Sequence, residues 1–514
     1  MTFEAQAATM SSAEVAELLK AHHELKQRLT WFERQLFGTK SERRLIDDQG
    51  RQLTLGEIRA SEAVEWTTVE VPGHRRRKSD AKAGDDHELR FDASVPVEEI
   101  VVGEAKDPET WQQVGEKVTL RLAQRPGSYV LLRYVRKVYK RRSDGQFSCP
   151  PAPPAVLEKS YADVSFLAGL AIDKLVYHLP LYRQHRRLAA AGVHLGRSTL
   201  TNLMHRAAEL LAPVHSAQID SILASEVLAM DETPIRAGRK KRAPPQRGAM
   251  KTGYFWPVYG DRDEVAFLFA NTRGGEVVRR VLRKYVGVLL SDGYKVYERV
   301  AEQTNRIVHA QCWAHTRRYF VEAEASDPGR AGEALDAIGR LYDHEARIKE
   351  KGLSVEQVLV YRGEHVKPVV DEFFEMLRDR LEKEVLLPTN PFTKAARYAL
   401  DREAALRVFL EYPHVPPDTN HVERAIRPVA VGRKNWLFCW TEVGAHCVAI
   451  LQTLLSTCRL QGVDPYTYLV DVLQRIDTHP AKDVALLTPR LWKETFASNP
   501  LRSHIDRPWP IPKG

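Results

Sequence analysis

The 514-residue chain reads as a mixed α/β protein with a large helical insertion, preceded by helical and strand-rich segments. Three observations lead there. From residue 226, short apolar strands ending in acid alternate with amphipathic helices; residues 316–410 are almost wholly helical in pattern; and a proline run, "CPPAPPA" at 149–155, divides strand-like sequence from helical sequence. Length implies about three domains at roughly 150 residues each. Hydrophobic residues at 43% and charged residues at 28% give an ordinary globular balance.

Residues 1–48 begin with a helix over 13–37. There Val15, Leu18, His22, Leu25, Leu29, Phe32 and Leu36 alternate at spacings of three and four. An amphipathic helix packed on its own chain and a short dimerising coiled coil both fit this pattern. Residues 49–88 form a linker, with "GHRRRKSDAKAGDDHE" almost free of apolar side chains. Residues 89–155 are strand-rich, and "SYVLLRYVRKVYKRR" alternates as a half-buried strand with a cationic outer face would. Residues 156–222 carry three helices, with Pro180 suited to a helix first turn and Gly192 to a turn between helices. Ser198 or Thr199 is the expected N-cap of the third, which runs to about Leu211. That spacing fits a helix-turn-helix DNA reader with Arg197 and Ser198 at the start of its third helix, and plain helical packing fits it as well.

The α/β core occupies 223–475. "EVLAMDE" reads as a strand, "YFWPVYG" and "EVAFLFAN" complete a three-stranded meander, and "GVLLSDGY" and "RIVHAQCWA" come next as strands separated by helices. Residues 476–514 form a proline-rich tail. The start, "MTFEAQAATMSSAEVAELL", does not read as a secretory signal. Apolar runs such as "VSFLAGLAI" fall short of the about 18–20 residues that cross a membrane. Five cysteines with no CxxC pair imply reduced thiols in a cytoplasmic protein and no zinc site. A net charge of +9 favours a polyanionic partner without establishing one.

The chemistry rests on acids. Asp231 and Asp292 each end an apolar strand, and in a β-β-β-α-β sheet the first and fourth strands are neighbours, which brings the two carboxylates together. Like charges that close need a cation between them. Hard oxygen ligands suit Mg²⁺ or Mn²⁺, and a pair of such ions can cleave a phosphodiester. Turn chemistry is the competing reading, because "DETP" and "SDGY" are both good turn text. A third acid comes from "HVERAIRPVAVGRKNW" at 421–436, where Glu423 stands among Arg424, Arg427, Arg433 and Lys434. An ion pair with Arg427, one helical turn away, is its alternative role. Asp418 or Asn420 is the expected cap of that helix, and Pro428 its limit near Arg427.

"MDETP", "SDGYKVY", "QCWAHTRRYF" and "NHVERAIRPVAVGRKNWLF" together resemble the transposases of the insertion-sequence-66 family, RNase H-like DDE enzymes, over about 165–475; "WFERQLFGTKSERR" also matches. The resemblance implies a catalytic and metal-binding triad of Asp231, Asp292 and Glu423, with the 316–410 insertion before the glutamate. It also implies Mg²⁺- or Mn²⁺-dependent end cleavage and strand transfer on DNA, with two ions, a homo-oligomer and small accessory proteins. An RNase H-like nuclease without strand transfer and an inactive DNA-binding relative are the alternatives. The family's cysteine-rich zinc segment is missing here, because residues 89–148 hold no cysteine. Expected DNA contacts are Arg197, Ser198, Lys240, Arg242, His315, Arg317, Arg318, Arg424, Arg427, Arg433 and Lys434, with Cys312 and Trp436 in the core.

Overall fold

The computed structural model describes residues 90–91, 95–125, 127–239, 250–384, 386–439 and 441–506. The expected N-terminal helix, the charged linker and the basic tip with Lys240 and Arg242 lie outside the described residues. Residues 317–339 and 375–398 form one compact unit, and the rest of the described chain forms the other.

In the larger unit, β1 (Val97–Val102), β2 (Trp111–Arg125) and β3 (Ser128–Arg141) make a sheet in the order β1-β3-β2, with β1 parallel and β2 antiparallel to β3. The expected alternation of β3 fails at its start, where Tyr129 to Leu132 are all buried. Both faces are covered there. Ala123, Val130, Leu132 and Tyr134 pack on one side with Ile505 from the far end of the chain.

Three helices come next: α1 (Val164–Leu175), α2 (Leu181–Ala190) and α3 (Arg197–Leu223). Asp163 caps α1 by accepting from the Ser165 N–H. Neither Ser198 nor Thr199 caps α3, whose N-cap is Gly196 without a side-chain bond, and the helix continues through Pro213 well beyond Leu211. An interior proline costs about 3 kcal/mol. The buried stripe from Leu200 to Ile222 outweighs it, since each large apolar side chain contributes roughly 1.5–3 kcal/mol.

The central sheet contains β4 (Val227–Met230), β5 (Thr233–Arg239), β6 (Met250–Gly260) and β7 (Glu264–Ala270). After α4 (Glu276–Val281) come β8 (Gly287–Ser291), α5 (Lys295–Glu302) and β9 (Ile307–Gln311). The strand order is β7-β6-β4-β8-β9, with β4, β8 and β9 parallel and the meander antiparallel. One strand was not expected. β5, "TPIRAGR", pairs with the first half of the eleven-residue β6 while β4 pairs with its end. Its proline and glycine disguise it, and the length of β6 supplies the partner.

The insertion comprises α6 (Trp313–Glu324), α7 (Pro328–Lys351), α8 (Val355–Tyr361), α9 (Lys367–Lys383), α10 (Pro391–Leu400) and α11 (Glu403–Glu411), with a π-helical turn at Arg362–Val366. The smaller unit is held by ion pairs of Arg330 with Asp327 and Glu384 and of Arg380 with Glu333, and by stacked Tyr319 and Tyr398 rings 4.2 Å apart. In the larger unit, the buried Arg362 guanidinium forks onto Glu345 at 2.8 Å and donates to the carbonyl of Phe409 at 2.6 Å.

Helix α12 (Asn420–Trp436) has Thr419 as its N-cap, and passes through Pro428 to Trp436. It neither starts from an Asp418 or Asn420 cap nor stops near Arg427, because Val422, Ala425, Ile426, Val429, Gly432 and Trp436 keep one face buried throughout. Helices α13 (Glu442–Leu460), α14 (Pro465–Arg475) and α15 (Pro489–Thr495) close the fold. Among the described residues α13 alone is long and apolar enough to cross a membrane, but 67% of its apolar window is buried inside the fold. It covers the β7 edge, where Thr453 Oγ1 and Thr457 Oγ1 accept from the N–H groups of Phe267 and Val265 at 2.8 and 3.2 Å. An open strand edge is thereby sealed.

This packing has two measurable consequences for stability. Arg362→Met strands the Glu345 carboxylate in the interior and should cost about 3–5 kcal/mol in urea unfolding. His309 accompanies Ser291 at 2.9 Å between β8 and β9, and burial, helped by Arg402, holds its pKa down at about 4. The unfolded chain therefore binds this proton first. The contribution is whole above about pH 6.5 and is lost as pH falls towards 4. Thermal melts between pH 7 and 5 should show a shallower loss for His309→Gln than for the natural protein.

Candidate active site

Parallel pairing of β4 with β8 aligns Ala229 with Leu290, and Asp231 and Asp292 each lie two residues beyond that pair. Neighbouring strands run about 4.8 Å apart, so both acids occupy the same rim of the sheet. The strands leading there are fully buried from Val227 to Met230 and from Val288 to Ser291, which fixes where they emerge. The Asp292 Oδ1 accepts from the Tyr294 N–H at 3.0 Å, which turns the chain into α5.

Glu423, in the first turn of α12, lines a cleft of about 490 Å³ with Asp231, Glu232, Thr233, Arg424, Arg427 and Arg433. Burial pushes the Asp231 carboxyl up to about 7, and the charges of Glu232, Asp292 and Glu423 add to that while the Glu232 N–H bond opposes it. The acids are thus electrostatically coupled. They do not form a ready coordination cage: among the described residues no three His, Cys, Asp or Glu side chains are grouped to hold a metal ion. Like charges oppose closer approach.

A fourth acid, Glu232, escaped the sequence reading. Its side chain is 3% exposed, paired with Arg273, and accepts from the Tyr297 hydroxyl at 2.9 Å. Burial raises its pKa while Arg273 pulls it back. Arg273 also lies 4.2 Å over the Tyr294 ring. Two aromatic residues spaced three apart at the N-cap and first turn of α5, in "YKVY", were the available signal for this support.

The expected DNA contacts divide. Arg424, Arg427 and Lys434 are exposed on α12. Arg433 is instead committed to β5, donating to Thr233 Oγ1 at 2.8 Å and the Pro234 carbonyl at 2.7 Å, so it ties the helix to the sheet. The Nε2 of His315 lies 3.8 Å from Glu423 Oε1, which places it beside the cleft. Arg317 and Arg318 are exposed and belong to the smaller unit. Arg197 is exposed, 4.9 Å over the Tyr182 ring, and Ser198 is exposed on the opening turn of α3. Cys312 and Trp436 are buried, at 2% and 9% exposure.

Comparison with known proteins agrees with the expected family. The model of the transposase IS66 family matches residues 159–447, that of the IS66 C-terminal element matches 453–489, and that of the transposase C of IS166 homeodomain matches 24–100. Two uncharacterised proteins of Sinorhizobium fredii are similar along their length. y4hP is 31% identical over 92% of this chain and 89% of its own, and y4qI is 29% identical over 93% and 92%. The Drosophila P element transposase strand transfer complex is a distant structural match, at 11% identity and a TM-score of 0.31 over 61% of this chain and 94% of that one. On the family match, which spans more than half of its residues, this chain belongs to the IS66 family of transposases.

Proposed function

We propose that this chain is a DNA transposase with an RNase H-like core, in which Asp231, Asp292 and Glu423 hold one or two Mg²⁺ or Mn²⁺ ions and catalyse end cleavage and strand transfer. The observation that carries this is the shared rim: two aspartates beyond one pair of parallel strands, with a glutamate lining the cleft that Asp231 opens into. The strand order β7-β6-β4-β8-β9, three antiparallel strands and then two parallel ones, supports the RNase H-like reading.

The donor types suit such an ion, which would have to draw the three carboxylates closer together. Carboxylate oxygens are hard donors suited to Mg²⁺ or Mn²⁺. A buried carboxyl with a pKa near 7 among other acids is one whose ionised form a cation restores. When bound, the ions supply an activated water or 3′-hydroxyl and stabilise the leaving oxygen of the phosphodiester. The chain contributes the rest. Glu232 with Arg273 and Tyr297 braces the strand end beside Asp231. Arg424 and Arg427 border the cleft with fixed positive charge and offset that of a DNA backbone. His315, whose Nε2 lies 3.8 Å from Glu423 Oε1, would meet a scissile phosphate held at the acids.

DNA is the partner this reading requires. Helices α1 to α3 serve as a second contact region through Arg197 and Ser198. The acting form is a homo-oligomer in the bacterial cytoplasm, assisted by small proteins of the same element.

The test is a cleavage assay on a plasmid carrying the genomic DNA that flanks the coding sequence. Asp231→Asn, Asp292→Asn and Glu423→Gln should each lower Mg²⁺-dependent cleavage by at least about 10²–10³-fold, with gel-shift affinity for the same DNA retained. Wild-type cleavage by any one of them removes that residue from the triad. Pre-cut ends offered with target DNA separate strand transfer from simple hydrolysis.

A further inference from the structure

The strand end that carries Asp292 and the helix that carries Glu423 are separated by more than a hundred residues of chain, yet one short segment touches both. The Cys312 N–H donates to the Ser291 carbonyl at 3.1 Å, one residue before Asp292. The Cys312 Sγ accepts twice from Thr419, from its N–H and from its Oγ1–H, each at 3.3 Å. Thr419 is the N-cap of α12, and its carbonyl accepts the Glu423 N–H at 3.1 Å. Next to it, the Trp313 N–H donates to the Pro417 carbonyl at 2.9 Å and the Trp313 indole N–H to the Leu406 carbonyl at 2.9 Å. Every link lies within the larger unit.

From this we infer that Cys312 is a positioning residue for catalysis: its backbone and sulfur couple the Asp292 strand end to the α12 N-cap and so set where Glu423 stands. The inference rests on the proposed triad.

Thr419 caps α12 without a side-chain bond to its own helix, because its hydroxyl is turned to the sulfur. A cap normally satisfies a free N–H of the first turn; here that bond is given up for one to another element. Cys312 and Thr419 are 2% and 1% exposed, so water does not compete for the pair. Trp313 then fixes the approach of the 406–419 segment, packing edge-on against Phe373 and Phe409 with centroids 5.3 and 6.4 Å away. A change of register at Thr419 would turn Glu423 about the helix axis, and misplacement by about 1 Å costs on the order of 10²-fold in rate.

The experiment uses the full chain and the same flanking-DNA plasmid, with Cys312→Ala, Cys312→Ser, Thr419→Val and the double variant Cys312→Ala/Thr419→Val. Cys312→Ala should lower the cleavage rate at saturating DNA and Mg²⁺ by about 10–100-fold, with KM for DNA unchanged. Cys312→Ser, which keeps an acceptor, should recover most of it. The double variant should be no worse than the poorer single one, because both act on one contact. A second readout needs no turnover: amide hydrogen exchange over residues 419–424 should speed up in Cys312→Ala and stay unchanged in Glu423→Gln. Wild-type cleavage by a folded Cys312→Ala, or strictly additive losses, overturns the inference. Should Cys312→Ala fail to fold, Thr419→Val carries the test alone, and wild-type cleavage by it overturns the inference equally. If Glu423→Gln is inactive while Cys312→Ala is unaffected, the clamp fails and the triad stands; if Glu423→Gln cleaves normally, the triad itself fails.

Discussion

The parallel pairing of β4 with β8 is the contact on which the site depends. It is made between strands about sixty residues apart in sequence, and it forces two aspartates onto one rim of the sheet. Nothing local favours that arrangement, since bringing carboxylates together raises the energy of both. The fold absorbs this cost by burying "VLAM" and "GVLLS" so completely that neither strand end can withdraw. The consequence is visible in Asp231, whose carboxyl is pushed up to about 7 by burial first and by three neighbouring acids after it.

Around this pair the surrounding structure limits movement. Glu232 would be a further uncompensated charge, but Arg273 and the Tyr297 hydroxyl satisfy it. Arg433 lines the cleft as well but is bonded to β5, while Arg424 and Arg427 border the acids from exposed positions on α12. On the other edge of the sheet, α13 contributes threonine hydroxyls to β7 in place of a further strand. That bonding explains how a helix with the length and apolarity of a membrane span lies buried in this fold.

Much was legible beforehand because it is written in periodicity. Strands ending in acid, the run of helices over about 316–410 and the helix around Glu423 all arise from local alternation and spacing. What failed also failed locally. The third helix was expected to end near Leu211, short of Pro213, Pro428 looked like a helix end, and "RSTL" looked like a cap, because a proline or a hydroxyl is read against its neighbours in sequence. In the fold, buried stripes on α3 and α12 run past both prolines. β5 was missed for the converse reason, since "TPIRAGR" looks like a loop until β6 extends beyond β4 and offers it a partner.

The sequence by itself determined the order of elements apart from β5, the three candidate acids and, through long motifs, the family. It could do so because hydrophobic periodicity and residue identity are carried by adjacent positions. Only the tertiary structure decided which acids share an environment, that Glu232 joins them, that Arg433 is spent on a strand, and that Cys312 meets Thr419. Those facts are distances between residues far apart in the chain, and a sulfur or a guanidinium finds its partner only after the sheet and helices have fixed their relative positions.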